Sequence, residues 1–199
     1  MIILLLLQCK KDNAVKKQAL SVWIAGALIV AAALSRLLPH PYNFSPVAAI
    51  ALLGGAAFRD RRLAFLLPLG ALLLSDLCFA LFTGTPGFYG WPQVMNYAAF
   101  LLIVLLGTRL LRHLRVKNVL LGSLSASLLF FLLSNLGVWL FTGGQAPYTH
   151  DGAGLIATYT LAIPFLGNTI IGDLFYCIVL FGGYALARYF IFRRREGMA

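Results

Sequence analysis

Acidic residues are scarce in this chain: six Asp and Glu stand against 16 Lys and Arg, and the one glutamate is Glu196. No glutamate or histidine falls inside an apolar run, which leaves a proton-relay channel short of titratable groups. Charged residues make up 11% of the chain, well under the roughly 25% of a soluble domain. A soluble globular protein is thereby excluded. A phosphate-binding G-x-x-x-x-G-K followed by Ser or Thr occurs nowhere, so the chain carries no ATP-hydrolysing module of that type. The three cysteines (Cys9, Cys78, Cys177) fall at unlike depths, against both a disulfide framework and a tetrahedral zinc site. No low-complexity or linker segment divides the chain, which reads as one domain.

Hydrophobic residues, at 61%, are what the chain has most of, in runs of about 20 that suit membrane-spanning helices. The reading is an all-α integral membrane protein with six spans at 19–38, 46–58, 63–82, 93–112, 118–141 and 164–187. The second is too short to cross alone, so it must tilt, continue as non-helical backbone or be buried by its neighbours. Basic residues sort by side. Lys10, Lys11, Lys16 and Lys17 precede the first span; Arg59, Arg61 and Arg62 follow the second; Arg109, Arg112, Arg115 and Lys117 surround the fourth-to-fifth turn; Arg188 and Arg193 to Arg195 follow the sixth. Arg36 alone falls in the alternate loops. That is 15 of 16 on one face, which places both termini in the cytoplasm of, by expectation, a bacterial inner membrane. The excess of positive charge is thus topological, and no nucleic acid is implied. The domain division is an N-terminal extension (1–18), a six-helix membrane domain (19–192) and a basic tail (193–199). "MIILLLLQC" lacks the basic flank and apolar length of a lipoprotein signal ending at Cys9.

The outward loops, "PHPYNFSP" (39–46), "TGTPGFYGWPQ" (83–93) and "TGGQAPYTHDGAGLIATY" (142–159), are rich in Gly, Pro and aromatics and poor in charge. The third is read as a long loop of about 22 residues, a length typical of binding loops. Tyr89, Trp91, Trp139, Tyr148 and Tyr159, with Asn96, are the candidate ligand-binding residues of an outward mouth. An interfacial aromatic belt is the alternative for each ring.

Two acids fall within spans, Asp76 in "LLLSDLCFALF" and Asp173 in "IIGDLFY". An acid at membrane depth either satisfies neighbouring donors or marks a pathway, and Asn96 or the hydroxyl of Tyr97 is a candidate partner. Asp76 and Cys78 lie about 200° apart around a helix and cannot share a face. If Cys78 faces the cavity with Ser75 and Phe82, Asp76 faces a neighbouring helix and, like Asp173, is structural. Packing alone is the alternative for the cysteine.

"NFSPVAAIALLGGAAF", "LLPLGALLLSDL" and "FFLLSNLGVWLF" together resemble the substrate-binding S components of energy-coupling-factor (ECF) vitamin transporters, over about residues 20–192. "SRLLPHPYNFSPVAAIALLGGA" with "SDLC" is most similar to the solitary, cobalamin-specific BtuM-like type. The resemblance implies six helices with both termini inside, cobalamin as transported ligand rather than resident cofactor, and Cys78 as axial ligand of the cobalt. A thiolate there could also displace cyanide from the corrinoid. It further implies, through the A-x-x-x-A spacing of Ala27 and Ala31, a membrane coupling partner, or none in a solitary member. The competing expectations are an S component for another vitamin or a metal, and a membrane enzyme or assembly factor. The last lacks a nucleophile with a nearby base.

Overall fold

The computed structural model describes the backbone of residues 2–84 and 86–196 and the side chains of 15–84 and 86–190. The chain folds into α1 (Ile2–Ser35), α2 (Val47–Ala57), α3 (Arg61–Phe82), α4 (Trp91–Leu110), α5 (Val116–Thr142) and α6 (Gly152–Glu196). All except α2 contain a stretch long and apolar enough to cross a bilayer. Their outer faces carry apolar stripes at helical spacing, such as Leu73, Leu77 and Leu81 on α3 and Leu120, Leu124 and Leu128 on α5, all exposed. Contiguous apolar surface of this kind is costly in water and natural against lipid, as in a multi-pass membrane protein.

The helices form a ring with a filled centre. α1 packs on α3, α3 on α4, α4 on α5, α5 on α6 and α6 back on α1, while α2 touches all five and, among the described residues, no other pair meets. Composition explains why α2 takes the middle: "VAAIALLGGAA" has no polar side chain, and eight of its 11 residues are buried. Its glycines let helix backbones approach to contact, as small residues do in membrane interiors. A β-carbon on Gly55 would lie 2.2 Å from the Val104 carbonyl oxygen and 2.8 Å from the Thr108 nitrogen. From the other side, one on Gly107 would lie 2.7 Å from the Leu52 carbonyl oxygen. Gly54 does the same toward α3, where its β-carbon would meet the ring of Pro68 at 2.1 Å. Around these contacts the core gathers Ile29 from α1, Leu72 from α3, Phe100, Ile103 and Val104 from α4, Ala126 from α5 and Leu180 from α6.

Of the three options open to the short second span, burial by its neighbours is the one adopted. Eleven residues rise only about 16 Å, roughly half of the hydrocarbon thickness. The other half of the ring's centre is left to something else.

α1 runs unbroken from Ile2 to Ser35, so residues 2–18 are helical and continuous with the first apolar span. Cys9 lies outside the residues whose side chains are described. The third outward loop is shorter than expected, about nine residues rather than 22, because α6 starts at Gly152 and continues through Pro164. The reason lies in Asp151. The Thr149 hydroxyl (2.6 Å) and the Gly154 amide (2.8 Å) both donate to its Oδ1, and the Leu155 amide donates to its carbonyl oxygen. An Asp at this position supplies the acceptor that the first turn of a helix lacks. Those hydrogen bonds, the Thr149 hydroxyl first, hold the Asp151 carboxyl below its ordinary value of 3.8.

Two outcomes follow. Gly55→Ala drives a methyl into the α4 backbone and should cost about 1–3 kcal/mol or more of stability. Gly70→Ala, with nothing within 4 Å of its β-carbon, should be neutral or slightly stabilising. Thermal unfolding of the two purified variants checks the pair, and equal melting temperatures would remove the close-approach argument. For Asp151 the sign follows from its lowered value: the stabilisation is present above about pH 3.8 and is lost as pH falls through the folded value. Amide protection of Gly154 and Leu155, corrected for intrinsic exchange, should be flat over about pH 5–8 and fall in stronger acid. Asp151→Ala should lack that acid-dependent fall.

Candidate functional site

The unfilled half of the ring's centre is a cavity of about 470 Å³. Its floor includes Val47 and Ala48, the first residues of α2, beside Ser45 of the preceding loop. The other helices contribute a single face each. α3 supplies Leu72, Asp76 and Phe79; α4 supplies Gln93, Asn96 and Tyr97 from its first two turns. α5 supplies Phe130, Phe131, Ser134, Asn135 and Val138, and α6 supplies Thr158, Leu161, Ala162, Phe165, Thr169 and Asp173. The spacing from Thr158 to Asp173 makes the cavity about 22 Å long along α6.

At the rim sits a polar cluster centred on Asp76. The Arg36 guanidinium donates from Nη1 to Asp76 Oδ1 at 2.7 Å and also to the Ser75 hydroxyl, and it lies 5.4 Å over the Phe79 ring. Tyr97 donates its hydroxyl to Asp76 Oδ2 at 2.7 Å. The buried Gln93 amide lies between: Nε2 reaches Asp76 Oδ2 (3.3 Å), the Gly87 carbonyl (2.9 Å) and the Tyr97 oxygen (2.9 Å), while Oε1 accepts from the Tyr89 amide at 3.0 Å. Gly87 belongs to this seam because a β-carbon there would lie 1.9 Å from the Asp76 carbonyl oxygen. The α3–α4 loop is thus fastened to the cavity wall by one glutamine and one glycine. Asn96 donates from Nδ2 to the Tyr89 hydroxyl, and its own Oδ1 is buried without a partner. Tyr89 is half exposed as a residue, and partial burial of its ring raises the phenol above its ordinary value of 10.0.

At the floor, Asp173 accepts at Oδ2 from the Ser127 hydroxyl at 2.6 Å. The first loop is pinned nearby. Asn168 donates to the Tyr42 carbonyl at 3.1 Å, Phe44 packs on Phe175 and Tyr176, and the bare α-carbon of Gly172 admits Phe44.

Of the residues expected from sequence, Tyr89, Asn96, Tyr148, Asp76 and Asp173 line the cavity. Trp91, Trp139 and Tyr159 do not. Trp91 is exposed and stacks on Phe141; Trp139 donates its indole N–H to the Thr149 carbonyl at 3.0 Å; Tyr159 donates to the Leu132 carbonyl at 2.7 Å. Cys78 is half-buried and absent from the cavity wall. The 200° separation from Asp76 holds, but the turn is rotated the other way, with Leu72, Asp76 and Phe79 facing inward at offsets of four and three. Ion pairing with Arg36 explains that rotation, since an acid turned to lipid would be unpaired. Cys177 is buried, and no group of three or more metal-ligating side chains occurs among the described residues. Tyr97 is the partner expected for Asp76, whereas Asn96 pairs with Tyr89. Sequence reading missed Arg36, His40 and Gln93. Arg36 carried a usable signal as the one basic residue outside the basic clusters of the sequence.

Arg36→Met should strip a buried pair of its cation and cost about 3–5 kcal/mol, against about 1–2 kcal/mol for Tyr97→Phe, which removes one neutral donor. Thermal unfolding in a lipid-like environment reads both, and an Arg36→Met loss no larger than that of Tyr97→Phe would show the pair to be peripheral.

No curated protein and no solved structure matches the chain. A family model matches residues 16–194, nearly the whole of the folded chain described above. The protein belongs to the family it defines, DUF6580, a family of unknown function.

Proposed function

We propose that this is a solute-binding membrane protein that captures a small organic molecule in the cavity beyond the N-terminus of α2. The observation that carries the reading is the cavity itself. A bundle held together only for structure closes its centre, yet here half of the centre is open and walled by amides, hydroxyls and aromatic faces. Its volume of about 470 Å³ falls in the range of small-molecule sites, roughly 300–1,000 Å³. The wall's imidazole, His40, is exposed at the rim, where a ring N–H has a backbone carbonyl, of Pro41 or Arg36, as acceptor.

In this reading the basic side of the molecule is cytoplasmic and the cavity opens to the opposite face of a bacterial inner membrane. The resemblance to S components makes uptake the role and a vitamin-sized molecule the cargo, and the volume favours something smaller than a corrinoid. Cobalamin uptake loses its particular support with Cys78 outside the wall. Ala27 and Ala31 are exposed on α1, where a coupling subunit could pack, and a solitary protein would leave them to lipid.

The test is extraction and mass spectrometry of small molecules from protein purified in native-lipid discs. Wild type and Ile163→Trp, a change on the lipid-exposed side, should carry the same compound, and Ala162→Trp, which fills the cavity, should lack it. Identical extracts from all three would remove the ligand-site reading.

A further inference from the structure

Resting on the solute-binding reading, we infer that the ligand carries a positively charged nitrogen and that Asp173 on the cavity floor receives it. The charges of the wall do not cancel. Arg36 is consumed by Asp76, which also takes Tyr97 and Gln93. His40 lies exposed at the rim, its ring beside the Pro41 and Arg36 carbonyls. That leaves Asp173, only 4% exposed, with the hydroxyl of Ser127 on one oxygen. Among the described residues no basic side chain forms an ion pair with it, and its Oδ1 takes no hydrogen bond from the protein.

A carboxylate has two oxygens and about four acceptor sites, so one hydroxyl leaves it largely unsatisfied. At membrane depth that vacancy is costly, and acids there characteristically face a cavity and mark the path of a cationic solute or ion. A bound ammonium would supply both the missing charge and the missing donors. The rest of the wall suits an organic cation better than a hydrated metal ion. Phe130, Phe131 and Phe165 border the same cavity, and aromatic faces attract an organic cation. A bare cation would want several oxygens converging at one point, and no second acid lies at the floor.

The experiment uses intact protein in lipid discs at about pH 7.5 and three probes of one shape: 2-phenylethylammonium, the neutral 2-phenylethanol and the anionic phenylacetate. Thermal stabilisation is titrated in sodium and in potassium buffers. The expected result is stabilisation by the ammonium probe above both others, equal in the two buffers. Asp173→Asn should then weaken the ammonium probe by about 10- to 100-fold and leave phenylethanol unchanged. Should Asp173→Asn fail to fold, Ser127→Ala carries the test: with the carboxylate deprived of its hydroxyl, the ammonium shift must exceed that of wild type, and an unchanged shift overturns the inference. Equal binding of the neutral and charged probes to wild type and Asp173→Asn overturns the cationic assignment while leaving solute binding intact. Stabilisation by sodium alone, with nothing added by the ammonium, makes Asp173 an alkali-ion site and likewise overturns it. No stabilisation by any probe, together with identical extracts from wild type and Ala162→Trp, removes both readings.

Discussion

A helix of eleven residues cannot cross a bilayer, and the architecture depends on where that helix is put. Placed at the edge, α2 would expose its ends to hydrocarbon, with backbone N–H and C=O groups unsatisfied. Placed in the middle, it is surrounded by five longer helices that shield it and are in turn spaced by it. Its residues are small, so the ring is tight: Gly54, Gly55 and the opposing Gly107 bring backbones together with no side chain between them. The ring's radius, fixed by those contacts along the length of α2, persists past the end of that helix. The cavity is the consequence of continuing a ring beyond its filling.

That origin accounts for the polar character of the wall. Where α2 is present, neighbouring helices turn alanine, leucine and isoleucine inward. Beyond it, the same faces of α3, α4, α5 and α6 turn Asp76, Gln93, Asn135 and Thr169 inward. Each such group is affordable only because a partner or the cavity meets it. The α3–α4 seam shows the compensation most clearly. Apolar packing between these two helices is sparse, and the seam is closed by Tyr97 and Gln93 on Asp76 with Gly87 laid against the α3 backbone.

Much of this was legible in the sequence. Helix number, the anomaly of the second helix and the two membrane acids follow from run length and composition, because a 20-residue apolar stretch has few alternatives in lipid. Helix ends were less legible. "HDGAGLIATY" is full of turn residues, yet Asp151 caps a helix there, and Pro164 sits within that helix rather than at its start. The site was half legible. Tyr89, Asn96, Tyr148 and Asp173 could be placed by depth, whereas the rotation of α3 could not. Helical geometry separates Asp76 from Cys78 but says nothing about which one faces inward. The deciding contact, Arg36 to Asp76, spans 40 residues and joins helix termini whose proximity only the fold creates.

The same contact gives a place to the arginine that stands apart from the basic clusters of the chain. Arg36 is the one basic residue outside the clusters that hold the other 15, and a bare aspartate in an apolar span opposes insertion. Joined, they are neutral, sheltered and hydrogen-bonded, and each offsets the cost of the other. Among the described residues Asp173 has no such companion. A membrane protein that neutralises one of its two buried acids so thoroughly, and leaves the other with a single hydroxyl facing an open cavity, treats the two differently. The difference follows from their positions: Asp76 closes a seam between helices that must stay shut, and Asp173 lies at the bottom of a space that is open to be filled.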